Sequence, residues 1–217
     1  MKFQKAAWSI LWISMMTILS GVVMGNAADA QPQTLPDAEI SGMVAERDIS
    51  DDKELKPGLS SIYIYKYFRH IDQMPILDPK TTSEKIGSPI SVLSHRFGAE
   101  DMIFDTGVSR GIGIQMNGFL KFSEAGKYGM LALSNDGIRV EICRKMILTD
   151  PDVHSDRLSP QVLIDIPKPG WYPILVQYFQ RKGTAAIELQ WKLPGKAEFS
   201  VIPAEAYAHI PKTESTP

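Results

Sequence analysis

Residues 126–143 read GKYGMLALSNDGIRVEIC, and residues 171–195 read WYPILVQYFQRKGTAAIELQWKLPG. Both stretches alternate apolar and polar side chains over most of their length, which is the period of a β-strand with one buried face. Short groups of turn residues interrupt the alternation at 134–137 and at 181–183. The two stretches therefore predict antiparallel strands joined by tight reversals, and residues 181–183 are expected to form a hairpin turn.

The same period of two extends through much of the chain. Residues 62–67 place aliphatic side chains on one face and tyrosines on the other, as in a strand buried on both sides. Residues 112–122 alternate in a way that predicts a strand with one wet face, and residues 162–166 and 199–202 add shorter strands. Beyond residue 30 no helical period stands out. The pattern favours an all-β fold, an antiparallel β-sandwich or barrel.

Composition excludes several classes of protein. The chain has 217 residues and a formal net charge of -2, so its charge gives no reason to expect nucleic acid or an acidic lipid surface as a partner. It has one cysteine, Cys143, so no disulfide can form within the chain. A small disulfide-stapled scaffold is thereby excluded, and the hydrophobic core must supply the stability.

The first thirty residues are typical of a signal peptide. Lys2 and Lys5 precede an uncharged, mostly apolar run over residues 6–24, and Ala28 and Ala30 offer small side chains at the positions that a signal peptidase recognises. We therefore expect cleavage after Ala30 and an exported protein, periplasmic or extracellular. The alternative is an uncleaved anchor, which would be the protein's only contact with the membrane.

Composition also predicts where the domain begins and ends. Residues 31–57 are rich in Asp, Glu, Ser and Pro and have little periodicity, which predicts a linker or disordered arm. We expect the β-sandwich over residues 58–208 and a flexible tail over residues 209–217.

An ordered series of motifs resembles the PA14 domain, a family named after a fragment of anthrax protective antigen. The series consists of GKY at 126–128, SNDGIRV at 134–140, PGWYPI at 169–174, GTAAIELQW at 183–191 and VIP at 201–203. The family is a β-sandwich found in glycosidases, adhesins and toxins, and several members bind carbohydrate. The resemblance implies a PA14-like antiparallel β-sandwich over nearly the whole mature chain.

The resemblance also implies a binding site in the 134–137 bend. In sugar-binding adhesins of the family, two adjacent Asp residues at this place hold a calcium ion that grips sugar hydroxyls. Here the pair is Asn135-Asp136, and Asn keeps a carbonyl oxygen but lacks the charge on which calcium affinity depends. The residues alone allow a second interpretation, because Asn-Asp-Gly is also good turn chemistry in which side chains cap their own backbone. The family's next hairpin often carries Asp-Gly, and here Cys143-Arg144 is poorer turn chemistry.

A second candidate is the 150–157 loop, DPDVHSDR, where three carboxylates and an imidazole lie close together. Hard cations bind carboxylate oxygens. If this loop folds over the 134–137 bend, Asp150 or Asp152 could supply the missing charge, with His154 as a further ligand-binding group. The alternative is a solvated loop in which Asp156 and Arg157 pair as neighbours.

Aromatic side chains form a third candidate set, because outward-facing rings could stack on sugars. The strand period places most of them in the core; the set is Tyr63, Tyr65, Tyr67, Trp171, Tyr172, Tyr178 and Trp191. No catalytic motif stands in its required context: GVSRG at 107–111 matches the Gly-x-Ser-x-Gly pattern, but a period-two strand follows it where a nucleophile elbow needs a helix, and the sequence contains no His-Glu-x-x-His.

These observations lead to one hypothesis and one alternative. We expect an exported, non-catalytic module that binds carbohydrate through the end loops of the sandwich, with calcium assisting. Asn135, Asp136, Asp150 and Asp152 are the expected metal ligands, and His154 joins them as a ligand-binding residue. The partner would be a glycan or a component of the cell envelope. The alternative is a protein-interaction or structural module of the envelope that binds no sugar.

Overall fold

Two β-sheets enclose the core of the computed structural model, which describes residues 38–211. The strands, in chain order, are β1 (Ala38–Ile40), β2 (Lys56–Pro57), β3 (Leu59–Tyr65), β4 (Lys85–Ile90), β5 (Ser94–Phe97), β6 (Ile112–Phe122), β7 (Gly126–Asn135), β8 (Ile138–Ile142), β9 (Lys145–Asp150), β10 (Arg157–Leu158), β11 (Val162–Ile166), β12 (Gly170–Gln180), β13 (Ala185–Lys192), β14 (Ser200–Val201) and β15 (Tyr207–His209). Two short 3₁₀ helices, Ile71–Gln73 and Ala204–Ala206, are the helices of the described residues.

The first sheet has the order β1-β11-β7-β13-β14, with β10 beside β7 and β5 beside β13. The second has the order β2-β15-β6-β12-β8-β9, with β3 paired to β6 and β4 to β3. The pairings are antiparallel except that of β1 with β11, which is parallel. The predicted all-β, sandwich-like architecture is therefore confirmed.

The core is built from alternate residues of the long strands of both sheets. Ile114 of β6 and Val176 of β12 come from the second sheet, Ile187 of β13 comes from the first, and all three are fully buried in one cluster. The predicted inward positions Ile138, Val140 and Ile142 are also fully buried. The period of two therefore identified the inward faces of the central strands.

The connections differ from the predicted reversals. Residues 181–183 were expected to form a hairpin turn, but β12 belongs to the second sheet and β13 to the first, so the connection over residues 181–184 crosses between sheets. The 134–137 bend likewise joins β7 of the first sheet to β8 of the second. Turn residues predict that the chain changes direction, but they do not specify which sheet the next strand joins. Residues 143–144, between the paired strands β8 and β9, are a true hairpin turn.

The sequence predicted that one face of β6 is exposed to water, but in the structure this outer face is mostly buried. Gln115 is fully buried, and its side-chain amide exchanges two hydrogen bonds with the backbone of Leu77, at 2.8 and 2.7 Å. A segment outside the sheets covers this face, which the alternation within β6 could not show. The polar side chain is buried at little cost because it is hydrogen-bonded.

The predicted linker over residues 31–57 is wrong for its described part. Ala38–Ile40 is a strand of the first sheet, Met43 is 1% exposed within the core, and Arg47 forms a bridge with Trp171. The predicted tail also begins too early, because His209 belongs to β15 and its Nδ1 lies 2.8 Å from the carbonyl oxygen of Gly58. Residues 31–57 have few apolar side chains, so their composition did not indicate that the described part of this segment packs against the domain.

The predicted signal peptide, residues 1–30, lies outside the described residues. Within residues 38–211, no helix is long and apolar enough to cross a membrane.

Candidate functional site

The 134–137 bend is held at one end of the sandwich by strand pairing on both sides. Asn135 pairs with Ala186 of β13, and Ile138 pairs with both Asp150 of β9 and Tyr178 of β12. Asn135 and Asp136 are joined by a cis peptide bond, and they are only 6% and 3% exposed. The bend is therefore a buried corner and not an open loop.

The carboxylate of Asp136 binds two other segments of the chain. Its Oδ1 accepts a hydrogen bond from the backbone N–H of His154 at 3.1 Å, and its Oδ2 accepts one from the backbone N–H of Arg181 at 2.7 Å. Burial raises the pKa of Asp136, and these two N–H groups offset part of that rise. The side chain thus joins the 150–157 loop and the 181–184 connection to the bend, rather than capping its own turn.

Asn135 makes the second link to the same loop. Its Nδ2 donates hydrogen bonds to Asp156 Oδ1 at 2.9 Å and to Thr184 Oγ1 at 3.3 Å, while the hydroxyl of Tyr178 donates to its carbonyl oxygen. The buried Asn therefore turns its amide nitrogen toward the acidic loop, and its main chain is fixed from the core.

Asp150 lies at the end of β9 and is 7% exposed. Both of its oxygens accept hydrogen bonds from the guanidinium of Arg157: Nε donates to Oδ2 at 2.7 Å, and a terminal nitrogen donates to Oδ1. The bidentate contact holds the pKa of Asp150 below its ordinary value. His154 Nε2 lies 3.2 Å from Asp150 Oδ2, although the orientation does not make a hydrogen bond.

The structure thus brings four of the five predicted site residues together and leaves the fifth at the edge. The 150–157 loop folds against the bend, so Asn135, Asp136, Asp150 and His154 share one end of the sandwich. Asp152 is exposed, and its backbone forms a bridge with His70.

The predicted neighbour pair of Asp156 with Arg157 is not formed. Arg157 binds Asp150, whereas Asp156 Oδ2 accepts a hydrogen bond from Arg96 at 2.8 Å. Arg96 and Thr184 were not identified from the sequence. They lie far from the bend along the chain, and only the pairing of β5 and β13 places them beside it.

The side chains as arranged do not fit a calcium ion, which requires six to eight oxygen ligands. Asp136 gives both oxygens to backbone N–H groups, Asp150 gives both to Arg157, and Asn135 presents its nitrogen. Within the part of the chain that the structure describes, no group of three or more His, Cys, Asp or Glu residues is placed to hold a metal ion.

Most of the aromatic candidates lie in the core. Tyr63, Tyr172 and Tyr178 are fully buried, Trp171 and Trp191 nearly so, and only Tyr65 and Tyr67 of that set are exposed, at 48% and 52%. The hydroxyl of Tyr65 is engaged with the carbonyl oxygen of Thr106.

The ring of Tyr67 is connected to the bend through two contacts. It lies against Gly111, where an added Cβ would meet the ring at 2.7 Å. The N–H of Gly111 in turn donates to the carbonyl oxygen of Arg181, whose own N–H binds Asp136. An exposed ring therefore stands at the same end of the molecule as the buried Asn135-Asp136 corner.

A separate groove of about 790 Å³ lies against β3, β4 and β6. Its walls include Ser60, Ile86, Asn117, Phe119 and Ile210. None of the residues predicted to bind a ligand lines it.

No family model matches the sequence, and no curated protein matches it. Solved structures do match. The PA14 domain of the MpAFP antifreeze protein superposes with a TM-score of 0.58 at 16% identity, over 78% of this chain and 100% of that one. The Epithelial adhesin 9 A domain from Candida glabrata, in complex with Galβ1-4GlcNAc, superposes with a TM-score of 0.54 at 11% identity, over 79% of this chain and 97% of that one.

An anti-sigma factor domain-containing protein gives a TM-score of 0.57 at 14% identity over 70% of this chain. The match spans 48% of that protein, about half of its length. Sequence identities this low support a shared architecture and nothing finer. They agree with the two-sheet topology described above, and the chain has the fold of the PA14 domain.

Proposed function

We propose that this protein is an exported, non-catalytic module that binds carbohydrate at the end of the sandwich marked by the 134–137 bend. The observation that carries the proposal is the convergence of this bend with the 150–157 loop, at the end where Tyr67 is exposed. A ligand there would meet polar groups on a rigid base, as binding sites on loops of stable scaffolds commonly provide.

The chemistry of this end suits a neutral, hydroxyl-rich ligand. Asp150 and Asp156 are paired with arginines, and the buried Asp136 carboxylate gives both oxygens to backbone N–H groups, so none of the three offers a free carboxylate that would select a cationic ligand. Asp152 is exposed at the edge, where its oxygens could accept from sugar hydroxyls, and the Tyr67 ring offers a face for stacking. The structural likeness to an adhesin domain that was solved with Galβ1-4GlcNAc supports the same ligand class.

A glycan array followed by calorimetry tests the proposal. We expect at least one glycan class to be retained, with Galβ1-4GlcNAc as the first probe. Tyr67→Ala should weaken that binding about fivefold, because an aromatic stacking contact contributes on the order of 1 kcal/mol. Asp152→Asn should weaken it less, and neither change should alter the fold because both side chains are exposed.

Two control variants locate the site. Glu124→Gln changes an exposed acid at the opposite end of β7, and Ile86→Ala changes an exposed side chain in the groove. Both should bind like the unaltered protein. Loss of binding in Ile86→Ala alone would move the site to the groove. If no glycan is retained and protein ligands are, the chain is instead an interaction module of the cell envelope.

Export is a separate part of the proposal and rests on the sequence of residues 1–30. Expression in a secreting host followed by N-terminal sequencing should find Gln31 as the first residue of the mature protein. An intact Met1 terminus in the membrane fraction would support the anchor.

A further inference from the structure

Two arginines neutralise the acids that surround the buried bend. Arg157 binds both oxygens of Asp150, and Arg96 binds the Asp156 carboxylate that also accepts from Asn135. The arginines are about half exposed, 51% and 57%, whereas the Asp150 side chain is 8% exposed. The buried acid therefore has a cation beside it that belongs to the chain.

Strand register fixes both arginines, so the contacts do not depend on the loop alone. Arg157 begins β10 and pairs with Ser134, the residue before the Asn135-Asp136 pair. On the other side, Arg96 of β5 pairs with Ala186, and Ala186 pairs with Asn135. The strands that carry the two arginines consequently lie on opposite sides of β7, and both side chains reach acids of the 150–157 loop.

We propose that Arg157, with Arg96 beside it, supplies the positive charge that calcium supplies in the sugar-binding domains that this chain resembles, so that the loop end holds its shape without a divalent cation. A guanidinium stays protonated at every physiological pH and fits a carboxylate in a bidentate geometry. An incoming calcium ion would have to displace Arg157 from both oxygens of Asp150. The inference concerns the ion and holds whether or not the ligand is a sugar.

Calcium titration followed by thermal unfolding tests this inference without any glycan. The unaltered protein should have the same Tm in chelator and in millimolar calcium, because we expect it to bind no calcium. An ion that bound the native state would raise the Tm. Arg157→Gln leaves Asp150 buried without its cation, so the Tm in chelator should fall by several degrees. Calcium, but not magnesium, should restore part of that loss.

Two further variants separate the contact from a general charge effect. Arg157→Lys keeps the positive charge and should show no calcium response. Arg144→Gln removes one positive charge from the β8–β9 turn, at the far end of these strands, and should also show none.

The inference fails if the unaltered protein gains several degrees in calcium; loss of that gain in Asp136→Ala would then place the ion at the bend. It also fails if Arg157→Gln folds and does not respond to calcium, since the guanidinium would then not be what replaces the ion. If Arg157→Gln does not fold, the titrations of the unaltered protein and of Arg157→Lys still decide: a calcium-dependent Tm in either one contradicts the inference.

Discussion

At the scale of single residues, Asp136 shows how one carboxylate can organise an end of the molecule. Its two oxygens join His154 and Arg181, which lie 18 and 45 residues away along the chain. The sequence identified Asp136 as important but allowed two roles for it, ligand and turn former. Its structural role is a third one, an acceptor for backbone groups that would otherwise be buried without partners.

Asp150 should make the protein sensitive to acid. Its pKa is lower in the folded state than the ordinary 3.8, because Arg157 binds the ionised form. The stabilisation is therefore complete above the unfolded pKa and is lost as the pH falls through the folded pKa. We expect Asp150→Asn to be less stable than the unaltered protein at pH 7 and the difference to shrink below about pH 4.

Urea unfolding at pH 7 and below about pH 4 measures the difference in stability between Asp150→Asn and the unaltered protein. Asp48→Asn is the control, because Asp48 pairs with Lys168 on the surface and should change stability little at either pH. A loss in Asp150→Asn of equal size at acidic and neutral pH would contradict the assigned role of the ionised carboxylate.

At the scale of elements, the β8–β9 hairpin is a site of backbone strain. Cys143 and Arg144 have φ angles of 53° and 61°, in the left-handed region that glycine adopts most easily. Two consecutive positive φ values are what a two-residue type I′ turn requires. The Cys143-Arg144 pair is poor turn chemistry, and the strands on both sides hold the turn nonetheless.

Replacing Arg144 with glycine should therefore stabilise the protein. We expect Arg144→Gly to raise the free energy of unfolding by about 0.5–1 kcal/mol, since the relief of the left-handed conformation exceeds the added entropy of the unfolded chain. Arg144→Ala, which retains a Cβ, should give no gain. A stabilisation by alanine equal to that by glycine would show that loss of the arginine side chain, and not the backbone, is responsible.

At the scale of the whole molecule, the segment before residue 58 belongs to the domain. Met43 is 1% exposed, whereas its neighbour Val44 is 70% exposed, so Met43 packs into the core and Val44 does not. Met43→Ala should lower the free energy of unfolding by about 2–4 kcal/mol, and Val44→Ala should lower it by less than about 0.5 kcal/mol. Urea denaturation measures both, and equal effects would mean that the segment is not docked in solution.

The inward faces of the central strands could be assigned from the sequence, whereas short strands such as β1, β5 and β10 could not. Alternation requires only that neighbouring side chains point to opposite sides of a strand, so residues 112–122 and 138–142 could be assigned locally. It also identified the bend and the acidic loop, because Asn, Asp and Gly have distinctive turn and ligand chemistry. The predicted fold followed from the order of these motifs, and it is confirmed.

How the two polar segments meet, and which cations pair with their carboxylates, follows from the tertiary fold. Arg157 lies beside Asp150 because β10 pairs with Ser134, and Arg96 reaches Asp156 because β5 pairs with β13. Strand register is set by the packing of the whole sheet and not by the residues near a given side chain. Local patterns could therefore propose the acids of the site, but they could not identify the arginines that hold them.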